Sequence, residues 1–276
     1  QDAKNNLYLI NATGNSLWKK QINEPVASDI YTIDAFRNNK FQILFNTANY
    51  LHLIDRNGNY VEGFPVKLPA RATNALAVFD YENTREYRLI IACADKTIYN
   101  FNANGTKNES FAPVKTKEEV SMQVKYTKVG ASDYLIACDA GGKIYVYSRR
   151  GAGRIDFSNN ILEQSKGFFV DAANNIENSK IVYFDDKNSL LESISLADKK
   201  AAAKLSEEFE DVSYSFERID DDKKTDILVL EKSKLKCYDF AGNELFAYEN
   251  TDYTYKTVNY FYDMDGAYFV LSTIGG

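Results

Sequence analysis

Residues Leu51–Gly58 read LHLIDRNG, an apolar run broken by polar residues and closed by a Gly that tolerates the positive φ of a tight turn. The same pattern occurs in LYLINATG ending at Gly14, IYNFNANG at Gly105, IYVYSRRG at Gly151, LESISLAD at Asp198 and LKCYDFAG at Gly242. The anchors lie 44, 47, 46, 47 and 44 residues apart. Seven residues before each anchor stands Leu7, Leu51, Ile98, Ile144, Leu191 or Leu235; four before it stands Ile10, Ile54, Phe101, Tyr147, Ile194 or Tyr238. Chance does not keep twelve apolar residues in register over six segments, so the chain repeats one supersecondary unit.

Outward from the anchor, each unit resolves into four strands. In the first complete unit Tyr31, Ile33 and Ala35 alternate with polar residues and lead into the turn Arg37-Asn38-Asn39-Lys40. Phe41, Ile43 and Phe45 make a second strand, Leu51–Ile54 a third, and Val61–Val66 an outer fourth. The next unit repeats the order at Leu76–Phe79, Arg88–Cys93, Ile98–Phe101 and Glu109–Val114. A period of two, frequent turn signals and a wealth of rings (20 Tyr and 17 Phe) indicate strands over helices. One stretch reads differently. Ala197–Glu210 (ADKKAAAKLSEEFE) is made of strong helix formers where the fourth unit needs its outer strand, which leaves a short helix or irregular loop open there.

The two ends complete the pattern. Leu7–Ile10 reads as a third strand and Leu17–Ile22 as a fourth, whereas Tyr268–Thr273, before Gly275-Gly276, reads as a second. Pairing Leu7–Ile10 with Tyr268–Ser272 would join both ends in one blade and remove exposed strand edges. The expected fold is therefore all-β: a β-propeller of about six four-stranded blades closed by strand sharing between the termini, forming a single domain over 1–276. The blades fall near 28–68, 73–114, 119–157, 166–204 and 211–248, with 253–276 plus 1–22 as the last. A slice of a seven- or eight-bladed ring is the alternative.

Composition narrows the function. The net charge is −6 with Lys and Arg scattered, so no basic stripe is available for a phosphate backbone and nucleic acid is not an expected partner. No run approaches the apolar length that spans a membrane. The opening Gln1-Asp2, without Met or a signal peptide, is read as the start of a piece of a longer polypeptide. Cys93, Cys138 and Cys237 are odd in number and lack zinc spacing; Cys93 and Cys138 share a repeat position and are expected to be small buried hydrophobes. His52 is the only histidine, sits on an expected third strand and is assigned to packing, which leaves no Ser-His-Asp or Cys-His arrangement without it. There is no Gly-x-Ser-x-Gly elbow, and Gly151-Ala152-Gly153-Arg154 is too short to cradle phosphate. The 1–2 turns Asp80-Tyr81-Glu82, Asp171-Ala172-Ala173-Asn174-Asn175 and Asp263-Met264-Asp265-Gly266 carry Asp and Asn as turn formers.

LYLINATGNSLWKKQ (Leu7–Gln21) resembles the quinoprotein-like (PQQ-like, WD40-like) propeller repeat, and LHLIDRNGNYVEGFPVKL (Leu51–Leu68) looks like a second copy. The whole chain is similar to propeller portions of large Bacteroidetes cell-envelope proteins, which implies a place in the periplasm or cell envelope, with the cytoplasm as the alternative. Quinoprotein dehydrogenases carry a repeated tryptophan motif and adjacent cysteines. This chain has one Trp and no adjacent Cys, so quinone binding is not carried over. Asp220-Asp221-Asp222-Lys223-Lys224-Thr225-Asp226 resembles the calcium turn of integrin-type repeats, with Asp220, Asp222 and Asp226 at matching places. Arg218 takes the place of the first carboxylate and Lys223 that of the turn glycine, so the expectation is a solvated acidic turn without metal.

The resulting expectation is a non-catalytic binding or scaffolding module, without cofactor, whose partner is another protein or another domain of the same polypeptide. An enzyme, or a small-molecule or carbohydrate binder with a site at the central channel, is the alternative.

Overall fold

A computed structural model of the chain describes residues 1–162, 167–185, 187–210, 212–219, 224–263 and 266–273. Among them the strands form five four-stranded antiparallel sheets and two two-stranded ones. First come β1 (Asn6–Ile10) and β2 (Ser16–Gln21), paired with each other. Blade 1 is β3 (Tyr31–Ile33), β4 (Gln42–Asn46), β5 (Tyr50–Ile54) and β6 (Val66–Lys67); blade 2 is β7 (Ala77–Phe79), β8 (Arg88–Cys93), β9 (Thr97–Asn102) and β10 (Val114–Lys115). Blade 3 is β11 (Lys125–Val129), β12 (Ser132–Cys138), β13 (Lys143–Tyr147) and β14 (Gly153–Ile161). Blade 4 is β15 (Phe168–Asp171), β16 (Lys180–Asp185), β17 (Leu190–Ser195) and β18 (Lys200–Lys204). Blade 5 is β19 (Ser213–Glu217), β20 (Asp226–Glu231), β21 (Lys234–Tyr238) and β22 (Glu244–Glu249), and the pair β23 (Tyr255–Asp263) and β24 (Gly266–Thr273) ends the chain. Every blade is a meander in sequence order. Two compact units divide the chain, Gln1–Leu162 and Glu163–Gly276.

Within each unit the core lies in layers between successive sheets. Along β8 the side chains alternate, and both faces are buried: Leu89, Ile91 and Cys93 pack with Leu44 and Leu53 of blade 1, whereas Ile90 and Ala92 pack with Leu135 and Ala137 of blade 3. That is why this strand reads LIIAC without polar interruption, as sheets covered on both faces do. In the second unit Val182 and Phe184 meet Ile227 and Val229, and Leu228 and Leu230 on the opposite face of β20 meet Val258 and Phe269. Each such side chain contributes about 1.5–3 kcal/mol on leaving water. The outer strands β18 and β22 are largely exposed and add little to this.

The repeat is written into the backbone at the anchors. Gly14, Gly58, Gly105, Gly151 and Gly242 have φ between 81 and 86°, and Asp198 takes the same left-handed region at 63°. At all six the anchor N–H donates to the carbonyl three residues earlier, from Gly14 to Asn11 (3.0 Å) through Gly242 to Asp239 (3.0 Å). The side chain at that earlier position locks the turn. Asn11, Asp55 and Asp239 each accept two backbone N–H groups at 2.8–3.1 Å. The glycine is needed for space as well as for φ. A Cβ at Gly151 would lie 2.0 Å from the Ala112 carbonyl oxygen, one at Gly105 would lie 2.6 Å from Val66, and one at Gly58 would lie 3.0 Å from Trp18. Each of these turns therefore rests on the outer segment of the preceding sheet.

Two outer strands differ from expectation. After an isolated bridge (Ile54↔Tyr60 in blade 1, Phe101↔Lys107 in blade 2), the continuous outer ladder begins only at Val66 and Val114, not at Val61 and Glu109. In both, a Phe six residues past the anchor (Phe64, Phe111) is buried, and its N–H closes a turn onto Val61 or Asn108. Drawing that ring inward interrupts the ladder between the bridge and the strand. The helix-prone stretch Ala197–Glu210 contains the strand β18, laddered from Leu190↔Lys204 to Ile194↔Lys200. Helix propensities differ by under about 1 kcal/mol per residue and a short isolated helix is marginal, so the unpaired edge of β17 decides.

Candidate functional site

In a four-stranded meander the 1–2 and 3–4 turns leave the sheet at the same end. In blades 1 and 2 the 1–2 turns share one conformation, with positive φ at Arg37 and Asn39 and again at Asn83 and Arg85. An aspartate organises each. Asp34 accepts the N–H groups of Asn38 (3.0 Å) and Asn39 (2.8 Å), and Asp80 accepts those of Thr84 (2.9 Å) and Arg85 (2.7 Å). Burial alone would raise the Asp34 pKa. Those donors and the Arg85 guanidinium, which also bonds it, hold it below the usual carboxylate range. Ion pairs link neighbouring turns: Arg37 reaches Glu86 at 2.9 Å, and Arg149 of blade 3 bonds Glu82 of blade 2 and lies 3.2 Å from Asp133. This face is a set of braced turns.

Among the described residues each unit has a cleft beside a 1–2 turn and the next blade's anchor turn. One, of about 300 Å³, lies between blades 2 and 3 and is lined by Asp80, Tyr81, Glu82, Glu86 and Arg88 with Arg149 and Arg150 of the next anchor turn. Its Tyr81 ring lies 4.8 Å from Tyr126, and the Arg149 guanidinium stands 5.9 Å from the Tyr81 centroid. The other, of about 290 Å³, lies between blades 4 and 5 and is lined by Asp171, Lys180, Ser193 and Ala201–Ala203 with Phe240. Burial raises the Asp171 pKa, opposed by Lys180.

The residues singled out from the sequence distribute as follows. His52 is buried, stacked on Phe45 (centroids 4.8 Å apart) with Thr47 at 3.2 Å from Nε2 and the Tyr60 hydroxyl at 3.0 Å from Nδ1. Burial lowers its pKa to about 4, so it is a neutral packing residue at neutral pH. All three cysteines are free and buried; burial pushes Cys93 up to about 11 and Cys138 up to about 12, which makes them poor nucleophiles. Asp220, Asp221, Asp222 and Lys223 of the calcium-like turn lie outside the described residues, as do Met264-Asp265. Asp226 begins β20 and is buried, with Oδ2 accepting the Ile219 N–H at 3.4 Å. The β19–β20 register pairs Glu217 with Asp226, so Arg218 does stand where blades 1 and 2 have Asp34 and Asp80. Among the described residues no three His, Cys, Asp or Glu side chains are grouped to hold a metal, and no helix is long and apolar enough to cross a membrane. The arginines of the first cleft were not picked out in sequence. The one signal there is the Arg149-Arg150 pair in an anchor turn.

No family model matches the sequence, and no curated protein matches it. Solved structures do. The chain is similar to BBS1N in complex with ARL6DN, with a TM-score of 0.67 at 10% identity over 99% of this chain and 86% of that one. A second crystal of that complex gives 0.64 at 8% identity, covering 95% of this chain and 82% of that one. The V. cholerae biofilm matrix protein Bap1 gives 0.56 at 12% identity over 84% of this chain, which spans 40% of Bap1. At these identities the likeness is one of fold, and it agrees with the repeated four-stranded sheets.

Proposed function

With a β-propeller fold as the premise, we propose that the chain closes into a single six-bladed ring and serves as a non-catalytic module that binds another protein or another domain of its own polypeptide. β23–β24 and β1–β2 would share the sixth blade. Three features support closure. β1–β2 packs Leu7 and Trp18 toward blade 1 and leaves Tyr8, Ile10 and Leu17 exposed, while β23–β24 packs Phe269 and Leu271 toward blade 5 and leaves Tyr268 and Val270 exposed. In the blade order β23-β24-β1-β2, the apolar residues left bare on each half continue the face that the other half buries. Gly14 has nothing within 4 Å of an added Cβ, unlike the four other anchor glycines. The outer strand that the repeat would place against it is β22, where Leu245 and Tyr248 are exposed.

The binding role rests on the braced turn face. Its carboxylates hold backbone and arginines in place rather than converging on a reaction centre, which suits a rigid recognition surface. The fold neighbour BBS1N was crystallised with a protein, ARL6DN. The sequence's resemblance to propeller portions of cell-envelope proteins supports a place in the cell envelope. The test is proximity labelling in the source cell followed by reconstitution from two pure components. A defined stoichiometric complex is expected; a pure chain that turns over a substrate would overturn the reading.

A further inference from the structure

We infer that the cleft between blades 2 and 3 is a recognition site for carboxylates of an acidic polypeptide segment, held by Arg88 and Arg150. The inference deepens the binding role proposed above and rests on it. The formal charge of the lining is balanced, but its groups are not equally engaged. Asp80 accepts two N–H groups of its own turn, Glu82 is bonded to Arg149, and Glu86 is bonded to Arg37 at 2.9 Å. Arg88, by contrast, reaches Glu86 at only 3.7 Å and two carbonyls at 3.4–3.5 Å, and the Arg150 guanidinium has no bond or ion pair among the described residues. The least engaged charges of the lining are therefore two guanidinium groups, and Thr84 and Ser110 line the same cleft. Planar guanidinium forks match carboxylates in bidentate geometry, which an ammonium cannot do.

The internal repeat shows that the fold does not require these arginines. Arg88 pairs with Phe79 in the register in which Gln42 pairs with Ile33, so blade 1 carries Gln at the same place. Arg150 stands one residue before its anchor, where the other turns have Thr13, Asn57, Asn104, Ala197 and Ala241. Three of the chain's nine arginines line this one cleft, in a chain that otherwise favours lysine and carries a net charge of −6. Under-engaged guanidinium groups attract carboxylates locally, while the acidic surface elsewhere repels misdocked acidic partners.

The substitutions that test this place residues already found at the same repeat positions in blades 1 and 2: Arg88→Gln with Arg150→Asn. The probe is a fluorescein-labelled peptide with four Glu and Asp around one Phe, followed by anisotropy on the full chain at low and physiological salt. Binding by the unaltered chain and a loss of about tenfold or more in the double variant are expected, with partial retention in Arg88→Lys/Arg150→Lys, whose charge survives without the fork. Arg154→Gln, on β14 and not among the cleft's lining residues (its guanidinium stands 5.2 Å from the Tyr134 ring centroid), should bind as the unaltered chain does. Equal binding by the double variant, or equal loss in Arg154→Gln, overturns the site while leaving the module free to bind elsewhere. No binding of the peptide by the unaltered chain overturns it too. Inorganic phosphate is the second probe; displacement of the peptide by phosphate as effectively as by glutarate would replace the carboxylate assignment with a phosphate one.

Discussion

At the scale of the residue, the anchor glycines and His52 illustrate two ways in which one position is fixed. Gly151→Ala adds a Cβ 2.0 Å from the Ala112 carbonyl in addition to left-handed strain, whereas Gly130→Ala, at φ 60° with nothing within 4 Å, adds strain alone. The expected losses are about 3–4 kcal/mol and about 1–2 kcal/mol by urea denaturation; equal losses would mean that the turn is not seated on the preceding blade. His52 makes a pH prediction. Its folded pKa of about 4 lies below the ordinary value of 6.5, so the folded state binds fewer protons than the unfolded one. Its contribution is fully present above pH 6.5 and is lost as pH falls toward 4, to an extent of about 3 kcal/mol at most. As the only histidine, it gives one imidazole signal for NMR titration. That signal should titrate near 4, and His52→Phe should flatten the acid-limb difference in stability that the titration accounts for.

Elements are decided by what lies beside them. β18 is built from Lys200-Ala201-Ala202-Ala203-Lys204, a sequence that favours helix, and it is a strand because β17 presents a ladder. Ala201 and Ala202 are exposed, so replacing both with Thr removes no packing and favours the pleated state. The expected gain is about 0.5 kcal/mol per site, with unchanged circular dichroism. Destabilisation with loss of helical signal would contradict the strand. The short β6 and β10 carry the opposite lesson: an inward Phe64 or Phe111 gains about 1.5–3 kcal/mol on leaving water while its N–H finds a partner in a local turn, so the interrupted ladder costs little.

For the whole molecule, the question is the ring. Removal of residues 1–22 bares Phe45 and Ile54 of blade 1, which destabilises the first unit whether or not the ends meet. The informative readout is therefore in the second unit. If β1 pairs with β24, the deletion should lower amide exchange protection over Gly266–Thr273, most at the amides not bonded to β23, though every deleted residue belongs to the other unit. Protection that stays as it was would sink the closed ring.

Much of this was legible in the sequence because the repeat reports on local chemistry. The anchor turns, the doubly buried strands such as LIIAC, the buried cysteines and the packed histidine all follow from turn φ, alternation and apolar register. Those signals act over a few residues and recur in each blade, so each copy corroborates the others. The length of β6 and β10 and the strand at β18 depended on an inward ring or an unpaired neighbouring edge, which a window of sequence does not contain. The cleft depended on more still. Arg88 and Arg150 are 62 positions apart, and neither departs from ordinary surface composition. Only the packing of blade 3 against blade 2 brings them to one cleft, and the pairing of Glu82 with Arg149 and Glu86 with Arg37 leaves those two guanidinium groups the least engaged charges of its lining. Periodicity fixes where a side chain points within its own sheet; which charges remain to meet a ligand is settled by neighbours that the tertiary structure brings.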